Sequence, residues 1–286
     1  MNPEPLPGTT ATRRAGEFIA TREHRRFCEF AGAVRRHGYI GLCYGPAGVG
    51  KTQSARRYAQ WDTAGAWLEE WGPRDTDRDT AAQAALAQTR TVFYTPESSL
   101  TTVKTLDADL NTLTFRADLW ISEHVNPERV VHHRSHHDAP YVELIIVDEA
   151  ERLRSQALEH LGARFDRSRA GLILIGMPGI EKRLARYPQL YSRIGFAHHY
   201  RPLGKDELTF VLTQHWRKLG LELDTADFSD AQAIAAIARI TSGNFRLIQR
   251  LFVQIQRILS INELTVVTSD VVEAARTTLV IGDTGP

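Results

Sequence analysis

The chain has 286 residues, which at about 150 residues per domain leaves room for two structural units, or one core with a substantial appendage. Hydrophobic residues at 42%, charged residues at 24%, 12 Pro and 20 Gly make an ordinary soluble globular composition and exclude collagen-like, low-complexity and disulfide-scaffold classes. Lys and Arg number 35 against 34 Asp and Glu, so the net charge of +1 argues neither for nucleic acid nor for an anionic membrane, and any such contact has to come from a local patch.

Residues 1–16, with Pro3, Pro5 and Pro7 and almost no apolar content, read as a loose N-terminal arm. From Thr21 to His37 apolar residues recur at helical spacing (Phe27, Phe30, Ala31, Val34) among arginines, which predicts an amphipathic helix. Tyr39 to Tyr44 is a short apolar run ending at glycine, the pattern of a buried strand entering a tight loop, and residues 53–60 continue as a helix. Three further runs, Thr91 to Tyr94, Val142 to Val147 and Leu172 to Ile175, are continuously apolar rather than alternating, as in strands covered on both faces. Phe196 to Tyr200 is a fifth. With helical patterns between them, these strands predict a five-stranded parallel sheet of the doubly wound α/β type.

After Pro202 and Gly204 the pattern turns helical almost to the end. Asp206–Leu219, Ser229–Thr241, Phe245–Leu259 and Asp270–Leu279 are periodic segments, with Ser229 and Gln232 spaced as a capping box. The expected organisation is therefore an arm over 1–16, an α/β core over 17–203 and a small helical lid over 204–286. Cys28 and Cys43 are too few for a disulfide framework and are expected to be buried as small hydrophobes. With no charged-then-apolar leader and no run of 18 apolar residues, the expectation is a cytoplasmic protein away from membranes.

Gly45-Pro46-Ala47-Gly48-Val49-Gly50-Lys51-Thr52 fits the phosphate-loop pattern of Gly, four residues, Gly-Lys-Ser/Thr, and it lies where the mechanism needs it, after a strand and before a helix. Glycines let successive N–H groups turn onto an anion, and the helix presents its positive end to the same place. Lys51 would reach the outer phosphates, and the Thr52 hydroxyl would serve Mg²⁺. Leu144 to Val147 is an apolar strand that delivers Asp148 and Glu149 at its C-terminal end, where ligands of open parallel sheets collect. Asp148 is placed to hold Mg²⁺ through water and Glu149 to polarise an attacking water. That water-activating pair argues against a kinase acting on an alcohol.

With these motifs the chain resembles the AAA+ ATPases over about residues 20–280, as a phosphate-loop fold with a helical lid that binds ATP and Mg²⁺. The resemblance implies that Arg193, after Ser192, reaches into the nucleotide of a neighbouring subunit. It implies that Arg246, in Gly243-Asn244-Phe245-Arg246, contacts the γ-phosphate from the lid. One departure stands out. The strand 172–175 runs into Gly176-Met177-Pro178, where the superfamily often has a polar residue that orients the attacking water, so hydrolysis is expected to be slow or partner-stimulated.

Within that superfamily, Val147 to Leu153, the Gly-Met-Pro-Gly stretch at 176–179, Arg183 to Arg193 and the small lid look most like the TniB/TnsC/MuB group of transposition regulators. Members of that group assemble on duplex DNA as rings or helical filaments and recruit or activate a transposase, with a target-selection protein as a further partner. The resemblance implies that DNA meets the segment near 97–139. Lys104, Arg116 and Thr102, beside Thr101, are the phosphate-contact candidates there, although this segment holds more carboxylates than cations. Residues 152–201 carry ten Lys and Arg against three Asp and Glu, which reads either as a duplex-facing stripe or as a face toward the acidic nucleotide edge of an adjacent subunit.

His124, His132, His133, His136 and His137 lie in a stretch without Cys or helical period, and a solvated loop is the simpler account than zinc. Trp61, Trp67 and Trp71 form an unusual connector, packed on the body or presented to a transposase. Two other functions stay open: an ATPase acting on a protein client, of the secretion or remodelling type, and a poorly hydrolysing nucleotide-gated scaffold.

Overall fold

A computed structural model describes residues 18–70, 76–97, 101–126, 140–168 and 170–279 of the chain. Five strands, β1 (Ile40–Tyr44), β2 (Thr91–Tyr94), β3 (Leu144–Val147), β4 (Gly171–Gly176) and β5 (Ile194–His199), form one parallel sheet in the order β2-β3-β4-β1-β5. The first four are buried almost without interruption, as their unbroken apolar runs require. At the edge, β5 alternates half-buried and exposed residues.

The first helix, α1 (Arg22–His37), starts where the Thr21 hydroxyl accepts from the His24 N–H at 3.1 Å and stops at Gly38, whose φ of 62° closes the last turn. Phe27, Phe30, Ala31 and Val34 are its buried face, laid on β1, β4 and β5. Next come α2 (Lys51–Tyr58), α3 (Trp61–Glu69) and α4 (Thr76–Thr89) before β2, and the 23-residue α5 (Val103–Val125) after it. The Asp118 carboxylate of α5 accepts from the N–H groups of Tyr141 and Val142 at 2.7 and 2.8 Å, which fixes the entry of the chain into β3. The strand itself is shorter than the apolar run 142–147, because Val142 bonds to Asp118 and not to the sheet. Between β3 and β5 lie α6 (Ser155–Arg167), α7 (Ile180–Leu184) and α8 (Pro188–Tyr191).

One apolar cluster takes in residues from Phe27 to Tyr200, and a second runs from Leu203 to Ala275 through α9 (Lys205–Lys218), α10 (Phe228–Thr241), α11 (Phe245–Ile261) and α12 (Ser269–Thr277). In α11 the residues Ile248, Leu251, Phe252, Ile255 and Leu259 form one stripe at helical spacing, each worth about 1.5–3 kcal/mol on burial. The start of α10 differs from the sequence expectation. Asp227, not Ser229, caps it by accepting from the Asp230 N–H at 3.1 Å. The buried Asp230 is itself held by the N–H of Asp224 at 2.8 Å and the indole of Trp216 at 3.3 Å, so tertiary bonds set the cap. Among the described residues no helix is long and apolar enough to cross a membrane.

Candidate functional site

The loop from β1 into α2 has the shape its glycines allow. Gly48 and Gly50 have φ of 79° and 114°, where a β-carbon would be strained. Gly45 is required for a different reason. A β-carbon there would lie 2.1 Å from the carbonyl oxygen of Tyr200, whose own N–H donates to Tyr44 at 2.8 Å and whose hydroxyl meets Ser54 at 2.8 Å. The chain leaving β5 is thereby wedged under the loop. Lys51 opens α2 and is only 8% exposed; its Nζ donates to the carbonyls of Gly45 at 2.5 Å and Pro46 at 2.8 Å. An ammonium has three N–H donors, so a third is left for a ligand oxygen. Burial holds the pKa of Lys51 below its ordinary value.

Beside it, the Thr52 hydroxyl donates to Oδ2 of Asp148 at 2.7 Å, and Oδ1 accepts from the N–H of Glu149 at 2.9 Å. Asp148 is 3% exposed, and burial pushes its carboxyl above the usual pKa. A dication would relieve that cost. One carboxylate and one hydroxyl, both hard oxygen donors, suit Mg²⁺ completed by water and phosphate oxygens. Glu149 follows in the left-handed region (φ 48°) and opens a single 3₁₀ turn at Ala150–Arg152; its carboxylate pairs with Arg152 at 2.5 Å.

The second apolar cluster reaches the loop through the start of α11. Asn244 caps that helix by accepting from Leu247 N–H at 3.2 Å, and its amide donates to the Ala47 carbonyl at 2.7 Å. The N–H of Arg246 donates to Gly48 at 2.9 Å, and the Arg246 charge is one of the influences lowering the pKa of Lys51. A β-carbon on Gly48 would stand 2.5 Å from the Asn244 amide oxygen and 2.9 Å from Cβ of Arg246, so this glycine also permits the joint. Gly45, Pro46, Ala47, Gly48, Val49, Gly50, Lys51, Thr52, Asp148, Glu149 and Arg246 therefore belong to one region. The arrangement would suit a polyanion: a buried ammonium, a helix N-terminus, a carboxylate able to hold a cation and an arginine from the second cluster.

A family described as an AAA domain matches residues 34–184. The chain belongs to it. Over 267 residues, 93% of this chain and 97% of the other, this AAA protein is 45% identical to a Staphylococcus aureus protein named "Potential ATP-binding protein". The fold is also that of the Thermotoga maritima RuvB Holliday junction branch migration motor, with a TM-score of 0.54 at 18% identity, covering 90% of this chain and 68% of that one. The Aeropyrum pernix ORC2 protein aligns with a TM-score of 0.52 at 16% identity, over 92% and 70% of the two chains. The Aeropyrum pernix ORC1 protein, solved in complex with DNA, gives 0.51 at 16% identity over 91% and 65%.

Arg193 lies elsewhere in the AAA protein. It precedes β5, and its carbonyl accepts from the N–H of Ile40, the first residue of β1. The five residues of β1, roughly 16 Å, separate it from the loop of its own chain. Its guanidinium pairs with both oxygens of Asp166 at 2.6 Å each. Of the other expected contacts, Thr102 caps α5 and Lys104 is exposed near it. Arg116 donates to the carbonyls of Leu68 at 2.5 Å and Glu69 at 3.2 Å, closing the C-terminus of α3. In the arginine-rich stretch, Arg152, Arg164 and Arg183 are likewise taken up inside the fold. Trp61 is buried and Trp67 packs against the same cluster. Trp71, Arg129, Arg134, Arg169 and His132, His133, His136 and His137 lie outside the described residues, and among the described ones no group of three His, Cys, Asp or Glu is placed to hold a metal.

Sequence reasoning assigned no role to Asn244, Tyr200 or Glu151. Asn244 sits inside the quoted Gly-Asn-Phe-Arg motif, a legible signal; the other two act through contacts that no local pattern announces.

Proposed function

We propose that this AAA protein is a Mg²⁺-dependent ATPase that assembles on duplex DNA in its ATP state and regulates where a transposase acts. The observation that carries the nucleotide half is the joint at the phosphate loop, where Lys51, Thr52 with Asp148, and the lid residues Asn244 and Arg246 converge within one set of hydrogen bonds. In this reading Lys51 and Arg246 bind the β- and γ-phosphates. Thr52 and Asp148 hold Mg²⁺, which when bound neutralises phosphate charge. Glu149 takes a proton from the attacking water after leaving Arg152.

Arg193 supports the assembly half. An arginine at the far end of the sheet serves no phosphate of its own chain, and in a head-to-tail ring or filament it would meet the neighbour's nucleotide. Hydrolysis would then loosen the joint. The likeness to the TniB/TnsC/MuB group supports the transposase and a target-selection protein as partners. Thr102 and Lys104 are the proposed phosphate contacts on DNA; Arg116 joins them only by leaving Leu68 and Glu69. A second reading, the slowly hydrolysing nucleotide-gated scaffold, is favoured by the engagement of Glu149 with Arg152.

Glu149→Gln tests the proposal. With Mg·ATP its complex with duplex DNA should dissociate at least about tenfold more slowly than that of the wild type, measured by surface-immobilised duplex. Equal dissociation in ATP and ADP would remove the coupling, and an ATPase rate indifferent to DNA would point to a protein client.

A further inference from the structure

The sheet order places β4 between the two strands that carry the site: β3 delivers Asp148 and β1 delivers the phosphate loop. Its last residue, Gly176, pairs with Tyr44, just before that loop, and brings no side chain. Two side chains from other elements share the space: Cδ1 of Ile180, 2.5 Å from where a β-carbon on Gly176 would lie, and a carboxylate. A β-carbon on Gly176 would lie 3.0 Å from Oε2 of Glu151. That oxygen is buried within a half-buried side chain, has no hydrogen-bond partner among the described residues, and belongs to a carboxylate whose charge acts on Lys51. The backbone beneath it is fastened, since Arg183 donates to the carbonyls of Glu151 at 2.7 Å and of Leu153.

Glu149 leans the other way. Its partner Arg152 donates to the carbonyl of Pro96, which follows β2 on the opposite side of β3, and its side chain is 41% exposed. A buried carboxylate oxygen without a donor is costly and calls for one that arrives with the reaction.

We propose, on the reading of the protein as an ATPase, that Glu151 orients the attacking water from the place a β4 side chain would hold. One proton of that water is hydrogen-bonded to Oε2 of Glu151, and the other passes to Glu149. The water oxygen forms the new bond to the γ-phosphorus, the bond from that phosphorus to the β–γ bridging oxygen breaks, and ADP keeps the electron pair. Two carboxylates on opposite sides of β3 thus divide the work that one glutamate and a polar β4 residue would otherwise share.

The test uses the whole chain with duplex DNA, in single-turnover phosphate release, ATP titration and thermal melting without nucleotide. Glu151→Gln should slow release by about 10–100-fold while ATP affinity stays within about threefold. Its nucleotide-free melting temperature should stay within about 2 °C of the wild type, because the substitution keeps the shape of the side chain. Glu151→Ala should be equally slow, and adding Gly176→Ser should recover at least about fivefold, the movable Cδ1 of Ile180 giving way to the new side chain. Wild-type release by Glu151→Gln, or a lower melting temperature together with lost ATP affinity, would overturn the assignment and leave the ATPase reading intact. No release from the wild type would end both.

Discussion

At the C-terminal edge of the sheet Lys51 and Asp148 are almost wholly buried, and each is held by groups of its own fold. At the opposite edge Arg193 is paired on the surface with Asp166, whose carboxyl it holds below the ordinary pKa. Buried charges are costly unless their surroundings compensate them, and Lys51 and Asp148 are compensated by carbonyls, a hydroxyl and an N–H of the fold. An exposed pair is screened by water, and on the proposed reading Arg193 would exchange Asp166 for a second chain.

The comparison breaks most visibly at Lys51. Lys51→Ala should weaken ATP binding by at least about 100-fold in a fluorescent-nucleotide titration; a loss under threefold would show that the buried ammonium does not meet phosphate. Arg193→Ala should instead leave ATP affinity within about threefold and lower the turnover of the assembled protein by about 10–100-fold, while Asp166→Ala should leave turnover unchanged or raise it. Equal losses from both substitutions would mean that the Arg193–Asp166 pair is structural and the two edges are not different in kind.

A smaller effect is expected in the second apolar cluster. His215 is buried, stacks on Phe252 with ring centroids 4.5 Å apart, and burial lowers its pKa to about 4. Its folded-state pKa lies below the unfolded value of 6.5, so the fold prefers the neutral ring. That contribution is fully present above pH 6.5 and is lost as the pH falls toward 4, on the order of 3 kcal/mol. Urea unfolding of His215→Leu should therefore show a flatter acid limb than the wild type between those two values; parallel limbs would mean the ring already protonates freely.

Much of this was legible from residue order because it is local. Eight consecutive residues specify the phosphate loop, and four of the five strands are continuous apolar runs whose burial on both faces follows from composition. What could not be read depends on distance. Asn244 meets Ala47 across 197 positions, and Arg116 meets Leu68 across 48. Gly176 looks like a missing polar group in one dimension, and only the fold brings Ile180 and the carboxylate of Glu151 beside it. The start of α10 shows the same limit at short range: a capping-box spacing at Ser229 loses to Asp227, because Asp230 is pulled inward by Trp216.

The most direct measurement is the mass of the protein in solution by sedimentation velocity, with Mg·ATP and a duplex of about 40 base pairs, against the same mixture with ADP. Multi-subunit complexes are expected on the duplex with ATP; they should shrink with ADP and fail to form with Lys51→Ala. A single subunit under saturating ATP and duplex, or complexes of equal size with either nucleotide, would contradict the proposed assembly.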